Sequence, residues 1–401
     1  MRVISASASL LAVLAGVSAC ATTGAGQPGR AGGPGGGETG PAGEGPYLYV
    51  ANQNGASISI IEVDDPRIVE SVDLQALGFG PNARPHDTAV DPDGSHWYVT
   101  LIGENRVLKF DNENRLVGQV EMEVPGLIVT HPTDDLLVVG RSMTAVSPPS
   151  SVALIRRSDM TLLEEVEVVF PRPHALAIGR SGRWAYTASL AENRIAAIDL
   201  ETGDVNLIEV PGAATEPVDG VHEGREAYEG REAHEGHESH GGQGGHTIVE
   251  FALSPDGRTM VAGGELSGEL LFLDLSDPAA PAVAGTLDLG GAPWHPAYTP
   301  DGRTIYVPLH QADQVAVVDA NAREVVTRIE GRGLAEPHGA APSPDGRWVF
   351  VSNNNTGGGY VPDGEDPVAG TVVVIDAATL EVAKILEVGP NAAGIEIGST
   401  P

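Results

Sequence analysis

One hydrophobic pattern returns seven times along this chain, and the recurrence limits the fold more sharply than length does. "YLYVANQNGASISIIEV" from Tyr47, "HWYVTLIGENRVLKFD" from His96 and "RWAYTASLAENRIAAID" from Arg183 each read as two strands around a short polar turn. The pair returns as "DLLVVGRSM" with "SSVALI" from Asp135, "RTMVAGGELSGELLFLD" from Arg258, "RTIYVPLHQADQVAVVD" from Arg303, and "RWVFVSNNN" with "GTVVVID" from Arg347. A further run such as "REVVTRIEG" from Arg323 follows each pair and another precedes it, which makes four strands per unit at a spacing of about 45 residues. Such units, arranged radially, make a β-propeller.

The turn joining the first strand to the second reads Asp-Pro-Asp-Gly at Asp91, Ser-Pro-Asp-Gly at Ser254 and Ser343, and Thr-Pro-Asp-Gly at Thr299. Proline presets φ and glycine accepts φ > 0, so these are tight hairpins whose aspartates need no calcium to explain them. The chain enters the pattern at a second strand, Tyr47, and "GPNAAGIEIGSTP" from Gly389 matches a first strand. The expectation is therefore all-β: a seven-bladed propeller over residues 46–398, closed by the C-terminal strand joining the N-terminal blade, which removes exposed sheet edges. "YVANQNGASISIIEV", "SPDGRWVFVSNNN" and "TVVVIDAATLEV" resemble the YVTN-repeat, YncE-like seven-bladed propellers across those same residues. That resemblance implies the fold and no particular chemistry, since the architecture hosts many activities.

In such a blade the loop into the first strand and the loop between the second and third strands open on one face, here called the top. Alignment on the hairpin puts at the mouth of the first strands Asn391 in blade one, His86 in two, Gly126 in three, His174 in four, Val249 in five, Trp294 in six and His338 in seven. Six have proline just before them: Pro390, Pro85, Pro125, Pro173, Pro293 and Pro337. Proline fixes φ where no ladder hydrogen bond is required; the histidines have no such backbone duty. Blades two, four and seven are not neighbours, so three imidazoles approach the axis from separated directions, and each reaches a metal roughly 6 to 7 Å from its Cα. His295 follows its mouth position by one residue, His246 precedes its own by three, and His310 falls in the top loop of blade six. His96 and His131 belong to the bottom turns and receive no role.

Two insertions open on the same face. Residues 213–245 contain "HEGREAYEGREAHEGHESHGG", where His222, His234, His237 and His240 stand among glutamates. Such a tract is either a loose chelator of divalent transition metals or a solvated low-complexity loop. Residues 356–370, "TGGGYVPDGEDPVAG", read as a lid or rim that carries Tyr360.

The start of the chain, "MRVISASASLLAVLAGVSAC", has one basic residue and an apolar run too short to span a membrane, as in a secretion signal. Val17-Ser18-Ala19-Cys20 resembles a bacterial lipobox, which implies cleavage after residue 19 and acylation of Cys20, the chain's single cysteine. Residues 20–45, rich in glycine and proline, then form a flexible tether. Ala21 and Thr22 are not an aspartate that retains such proteins in the inner membrane, so a periplasm-facing place on the outer membrane is expected, or the outer face of the cell membrane in a single-membrane host. With 55 acidic against 23 basic residues, the net charge of -32 repels phosphate backbones and excludes nucleic acid as a partner class. A monomer is expected.

The Pro-His-Gly and Ser-Pro-Asp-Gly pattern around His338 is similar to the propeller of nitrous oxide reductases, and more loosely to the haem-d1 propellers of nitrite reductases. The first likeness implies inner-strand histidines holding copper. Here three aligned and three offset histidines stand in for a full ring, and no cupredoxin domain or Cys-x-x-Cys-His motif accompanies them. Three functions follow. One is a metal site of His86, His174 and His338, with His295, His310 and His246 as further groups, for copper, or zinc or nickel, in metal handling or redox chemistry. Another is a lactonase-like hydrolase, for which no partner carboxylate is identifiable in the sequence. The last is a scaffold that presents Trp294, Tyr360 and Asn391 to a protein or ligand on the top face. Against the first stands a plain alternative, that the imidazoles merely hydrogen-bond water and backbone.

Overall fold

The computed structural model describes residues 45–142, 149–212 and 245–398. Among these residues it contains 28 strands, numbered β1 to β28 in chain order, in seven four-stranded antiparallel sheets. Blade one is assembled from both ends of the propeller: β28 (Ala392–Gly398) pairs with β1 (Tyr47–Asn52), and β2 (Ser57–Glu62) and β3 (Arg67–Asp73) follow outward. The innermost strands of blades two to seven are β4 (Pro85–Val90), β8 (Pro125–Thr130), β12 (Pro173–Ile178), β16 (Ile248–Leu253), β20 (Ala297–Tyr298) and β24 (Pro337–Pro342). Each touches the innermost strand of the next blade, and β24 touches β28, so the seven form a closed inner wall.

Hydrophobic patterning differs with depth in the blade. The second strand of blade seven, Trp348–Asn353, is buried along almost its whole length, whereas the outer Glu324–Ile329 of blade six alternates. Middle strands have a neighbouring blade on both faces and so carry continuous apolar runs; outer strands have water on one side. The core is correspondingly divided among the blade interfaces. Trp97 of blade two is sandwiched between Phe110, with ring centroids 4.1 Å apart, and Tyr49 of blade one, at 4.9 Å. The hairpin aspartates bond within their own turns. In one, Asp256 accepts from Ser254 Oγ at 2.6 Å and from the Arg258 amide at 3.0 Å, and Gly257 sits at φ +70°.

A one-residue slip of register recurs at the start of every innermost strand. In blade two Pro85 faces Leu101 but Thr88 faces Val99, which leaves His86 and Asp87 opposite Thr100 alone. The same slip lies in β8, β12, β16, β24 and β28, and in blade six between the Pro293–Leu309 bridge and the Ala297–Tyr306 pair. Each bulge is preceded by a residue in the left-handed region: Arg84, Val124, Arg172, Thr247, Ala292, Glu336 and Asn391. This landmark corrects the alignment of blade one. The equivalent of His86 is Ala393, two residues beyond Asn391, and Ala392 stands where five other blades have proline. Pro390 lies outside the strand, and its carbonyl accepts the Asn54 amide at 3.1 Å. Blade six departs in another way: Pro296 interrupts its first strand, leaving two paired residues, Ala297 and Tyr298.

Candidate functional site

The left-handed residue, the proline and the bulge together turn the mouth side chains toward the axis, because a bulge bends its strand and re-aims the side chains it carries. The rings of His86 and His174 lie 5.7 Å apart between centroids, and those of His86 and His338 lie 6.5 Å apart, edge to face. His295 stands 4.3 Å from His338. Trp294 completes the group, stacked on His310 at 4.1 Å and meeting His338 edge-on at 4.8 Å. Five imidazoles and one indole from four blades thus form one cluster.

Other residues singled out in the sequence lie elsewhere. The His246 ring makes none of these ring contacts; Nε2 is 2.7 Å from the Pro211 carbonyl and Nδ1 is 3.0 Å from Ser267 Oγ, with Glu269 at 3.4 Å. Tyr360 is buried against the outer side of blade seven, where its hydroxyl donates to Glu387 at 2.8 Å and Arg332 lies over its ring. Asn391 faces Asn54, amide to amide, at 3.3 Å. Cys20 and His222, His234, His237 and His240 lie outside the described residues.

Hydrogen bonds assign the imidazole tautomers. His174 Nδ1 donates to the Arg141 carbonyl at 2.9 Å, which leaves Nε2 as the lone-pair nitrogen. His86 Nδ1 faces Gln53 Oε1 at 3.4 Å, and its Nε2 is buried with no partner among the described residues. His338 Nδ1 and Trp294 Nε1 are likewise buried without partners there. Burial disfavours the charged form, so His86 is held down to about 3, with His174 and Arg84 adding repulsion, and His174 down to about 4. His295 and His338 fall well below the ordinary histidine range, first by burial and then by each histidine's repulsion from others in the cluster. All four are neutral imidazoles at pH 7.

The site also contains carboxylates that the sequence reading missed. Asp87 and Glu250 occupy the position just after the mouth residue in blades two and five, the place His295 holds in blade six. Glu250 Oε2 is 3.7 Å from His295 Nδ1, and its other oxygen accepts the Phe251 amide at 2.8 Å. Asp87 accepts the Ile128 amide of blade three at 3.0 Å. Desolvation pushes Asp87 up to about 7, and pushes Glu250 well above the usual carboxylate range with help from Asp87. Glu396 of β28 is raised by the same two causes, though its side chain stays open to water inside the ring, which moderates the effect. Strict alternation would send residues 86 and 87 to opposite faces; the bulge brings both inward, and only an Asp beside a mouth His in the sequence hinted at it.

Among the described residues, no three His, Cys, Asp or Glu side chains stand close enough together to hold a metal ion as they are. The cluster therefore offers neutral nitrogen donors in a desolvated setting, with a protonated carboxyl beside one of them, rather than a finished coordination sphere. No helix of the described residues is long and apolar enough to cross a membrane.

No protein-family model matches the chain, and no curated protein matches it in sequence. Solved structures are similar in fold. The periplasmic gluconolactonase PpgL of Pseudomonas aeruginosa has a TM-score of 0.63 at 19% identity, covering 89% of this chain and 100% of that one. A functionally unknown protein from Desulfotomaculum acetoxidans scores 0.64 at 14% identity, covering 88% and 99%. Hydrazine synthase of Kuenenia stuttgartiensis scores 0.58 at 15%, covering 83% and 92%. At such identities the likeness is one of fold.

Proposed function

We propose that this seven-bladed propeller binds a transition metal, copper by preference over zinc or nickel, at the histidine cluster of its top face, for metal handling or redox chemistry. The observation that carries the reading is the pair His86 and His174. Each ring is oriented through Nδ1, toward Gln53 and onto the Arg141 carbonyl respectively, so that Nε2 is left as the lone-pair nitrogen of each. Metal-ligating histidines are fixed in this way by their second nitrogen, and burial keeps both rings unprotonated without metal. His338 is the third donor, brought in by rotation of its ring, and His295 and His310 stand within reach as further groups. The His246 side chain, engaged with Pro211 and Ser267, drops out of the ligand set. The proposal keeps the YVTN-repeat kinship, the lipid anchor on Cys20, the periplasm-facing outer-membrane location and the monomeric state, all of which rest on sequence. Its test is metal analysis of the purified protein supplied with copper and zinc. Near-stoichiometric metal, lost on replacing His86, His174 and His338 with alanine, is expected; occupancy far below one per chain, unchanged by those replacements, refutes it.

A second reading is hydrolysis of a lactone. Glu250 beside His295 supplies the acid and base pair that the sequence alone did not reveal, and a fold neighbour is named a periplasmic gluconolactonase. Lactone hydrolysis that survives exhaustive chelation and is lost in Glu250→Gln would favour it over the metal site.

A further inference from the structure

Two of the seven blade junctions are bridged by a hydroxyl that the junction between blades six and seven lacks. In blade two, Thr100 Oγ1 receives the Asp87 amide at 3.2 Å and donates to the Gly126 carbonyl of blade three at 2.8 Å. In blade seven, Ser352 Oγ does the same between the Gly339 amide, at 3.1 Å, and the Ala393 carbonyl of blade one, at 2.6 Å. Each hydroxyl thus relays the amide after the mouth residue to the mouth carbonyl of the next blade. Blades one, three, four and five have Ala51, Gly140, Ala188 and Gly263 at this position, so two blades of the seven carry the relay.

Blade six has Pro308 there. Proline brings no hydroxyl, and its place opposite the bulge is one where a middle strand tolerates it. The amide after the mouth residue, His295 N, here donates directly to the next mouth carbonyl, His338 O, at 3.2 Å, and His295 bridges to Gly339 in parallel fashion. Here one direct bond spans what the relay spans in blades two and seven, and the first strand of blade six, paired with its own sheet after the bulge only at Ala297 and Tyr298, lies against blade seven. Pro296, which has no amide hydrogen to give the ladder, accounts for the broken pairing, a release that the other blades lacking the hydroxyl do not have. The imidazole carried over is the one that ends 4.3 Å from His338 and 3.7 Å from Glu250.

We propose that Pro308 is a positioning residue: with Pro296 releasing the strand from its own sheet, the lack of a hydroxyl at Pro308 leaves the His338 carbonyl to the His295 amide and so seats the His295 imidazole in the donor cluster. The functional consequence rests on the metal reading above; the geometric one does not. Pro308→Ser restores the relay oxygen between His295 N and His338 O and pushes the two apart, whereas Pro308→Ala changes the ring without adding a hydroxyl. In metal-free protein carrying labelled histidine, the nuclear Overhauser contact between the His295 and His338 rings should be lost in Pro308→Ser and kept in Pro308→Ala. In cupric ion titrations, Pro308→Ser should weaken binding by about tenfold or more, as loss of a supporting group around a metal typically does. In a His295→Ala background the same substitution should change nothing further. Should the serine variant fail to fold, Pro308→Thr carries the same hydroxyl. Ring contact retained in the serine variant, equal loss in the alanine variant, or an affinity loss that persists without His295 would each overturn the proposal. If the wild type takes up no copper, the metal reading fails, and the ring contact alone decides the role of Pro308.

Discussion

Asp87→Asn should make the protein more sensitive to acid, although it removes an acidic group. The reason is opposed titration in the buried cluster. An unfolded histidine titrates near 6.5, while His86 and His174 titrate at about 3 and 4 in the fold. Between about pH 4.5 and 6.5 the unfolded chain therefore binds a proton on each that the folded chain refuses. Stability falls with pH by about 1.4 kcal/mol per unit for each of them. Asp87 works the other way: its carboxyl titrates at about 7 in the fold against 3.8 in the unfolded chain, so in this window the folded state holds the proton. It offsets about one histidine. His295 and His338 add to the loss, and Glu250 and Glu396 to the offset. Asparagine is neutral like the protonated carboxyl, and its side-chain oxygen can still accept the Ile128 amide, which Asp87 Oδ2 accepts at 3.0 Å. The variant should thus lose about 2.7 kcal/mol more than wild type on going from pH 6.5 to 4.5. Reversible urea unfolding of both metal-free proteins across that range measures the difference. Parallel pH profiles would show that Asp87 is not protonated in the folded state, and the desolvated picture of the cluster would fall with it.

Three substitutions test the scaffold. Trp97→Ala, which empties the sandwich between Tyr49 and Phe110, should cost about 3–5 kcal/mol in chemical denaturation. Thr100→Val keeps the shape but strands the Gly126 carbonyl and the Asp87 amide, and should cost about 1–3 kcal/mol; an unchanged midpoint would remove the relay from the account of blade contacts. Gly103→Ala would place a Cβ 1.7 Å from the Asn82 carbonyl oxygen, so a loss of about 1–3 kcal/mol is expected, read as a lowered thermal midpoint.

The blades were legible because each repeats its apolar runs around a Pro-Asp-Gly turn, and turn chemistry is local. The mouth of blade one was misplaced by two residues because Pro390 imitates the prolines of other blades. The true landmark is a left-handed residue, and the seven that hold it are Arg, Val, Arg, Thr, Ala, Glu and Asn, a set with no shared signature. The bulge hid Asp87 and Glu250 for a related reason: it overrides the alternation from which facing is normally read. His246 lies close to the mouth in sequence, but its ring turns to the Pro211 carbonyl and Ser267, partners that only the folded loop brings near.

The pairing of Tyr47 with Gly398 joins segments separated by some 350 residues. During synthesis the inner edge of blade one must wait unpaired while the other six blades are made, an apolar ribbon open to misassociation. A cell that exports this chain unfolded would escape that hazard, since the final strand would then be present before any blade begins to form. Removing Ala392–Gly398 should leave that ribbon uncovered for good, with the inner wall open beside Asp87.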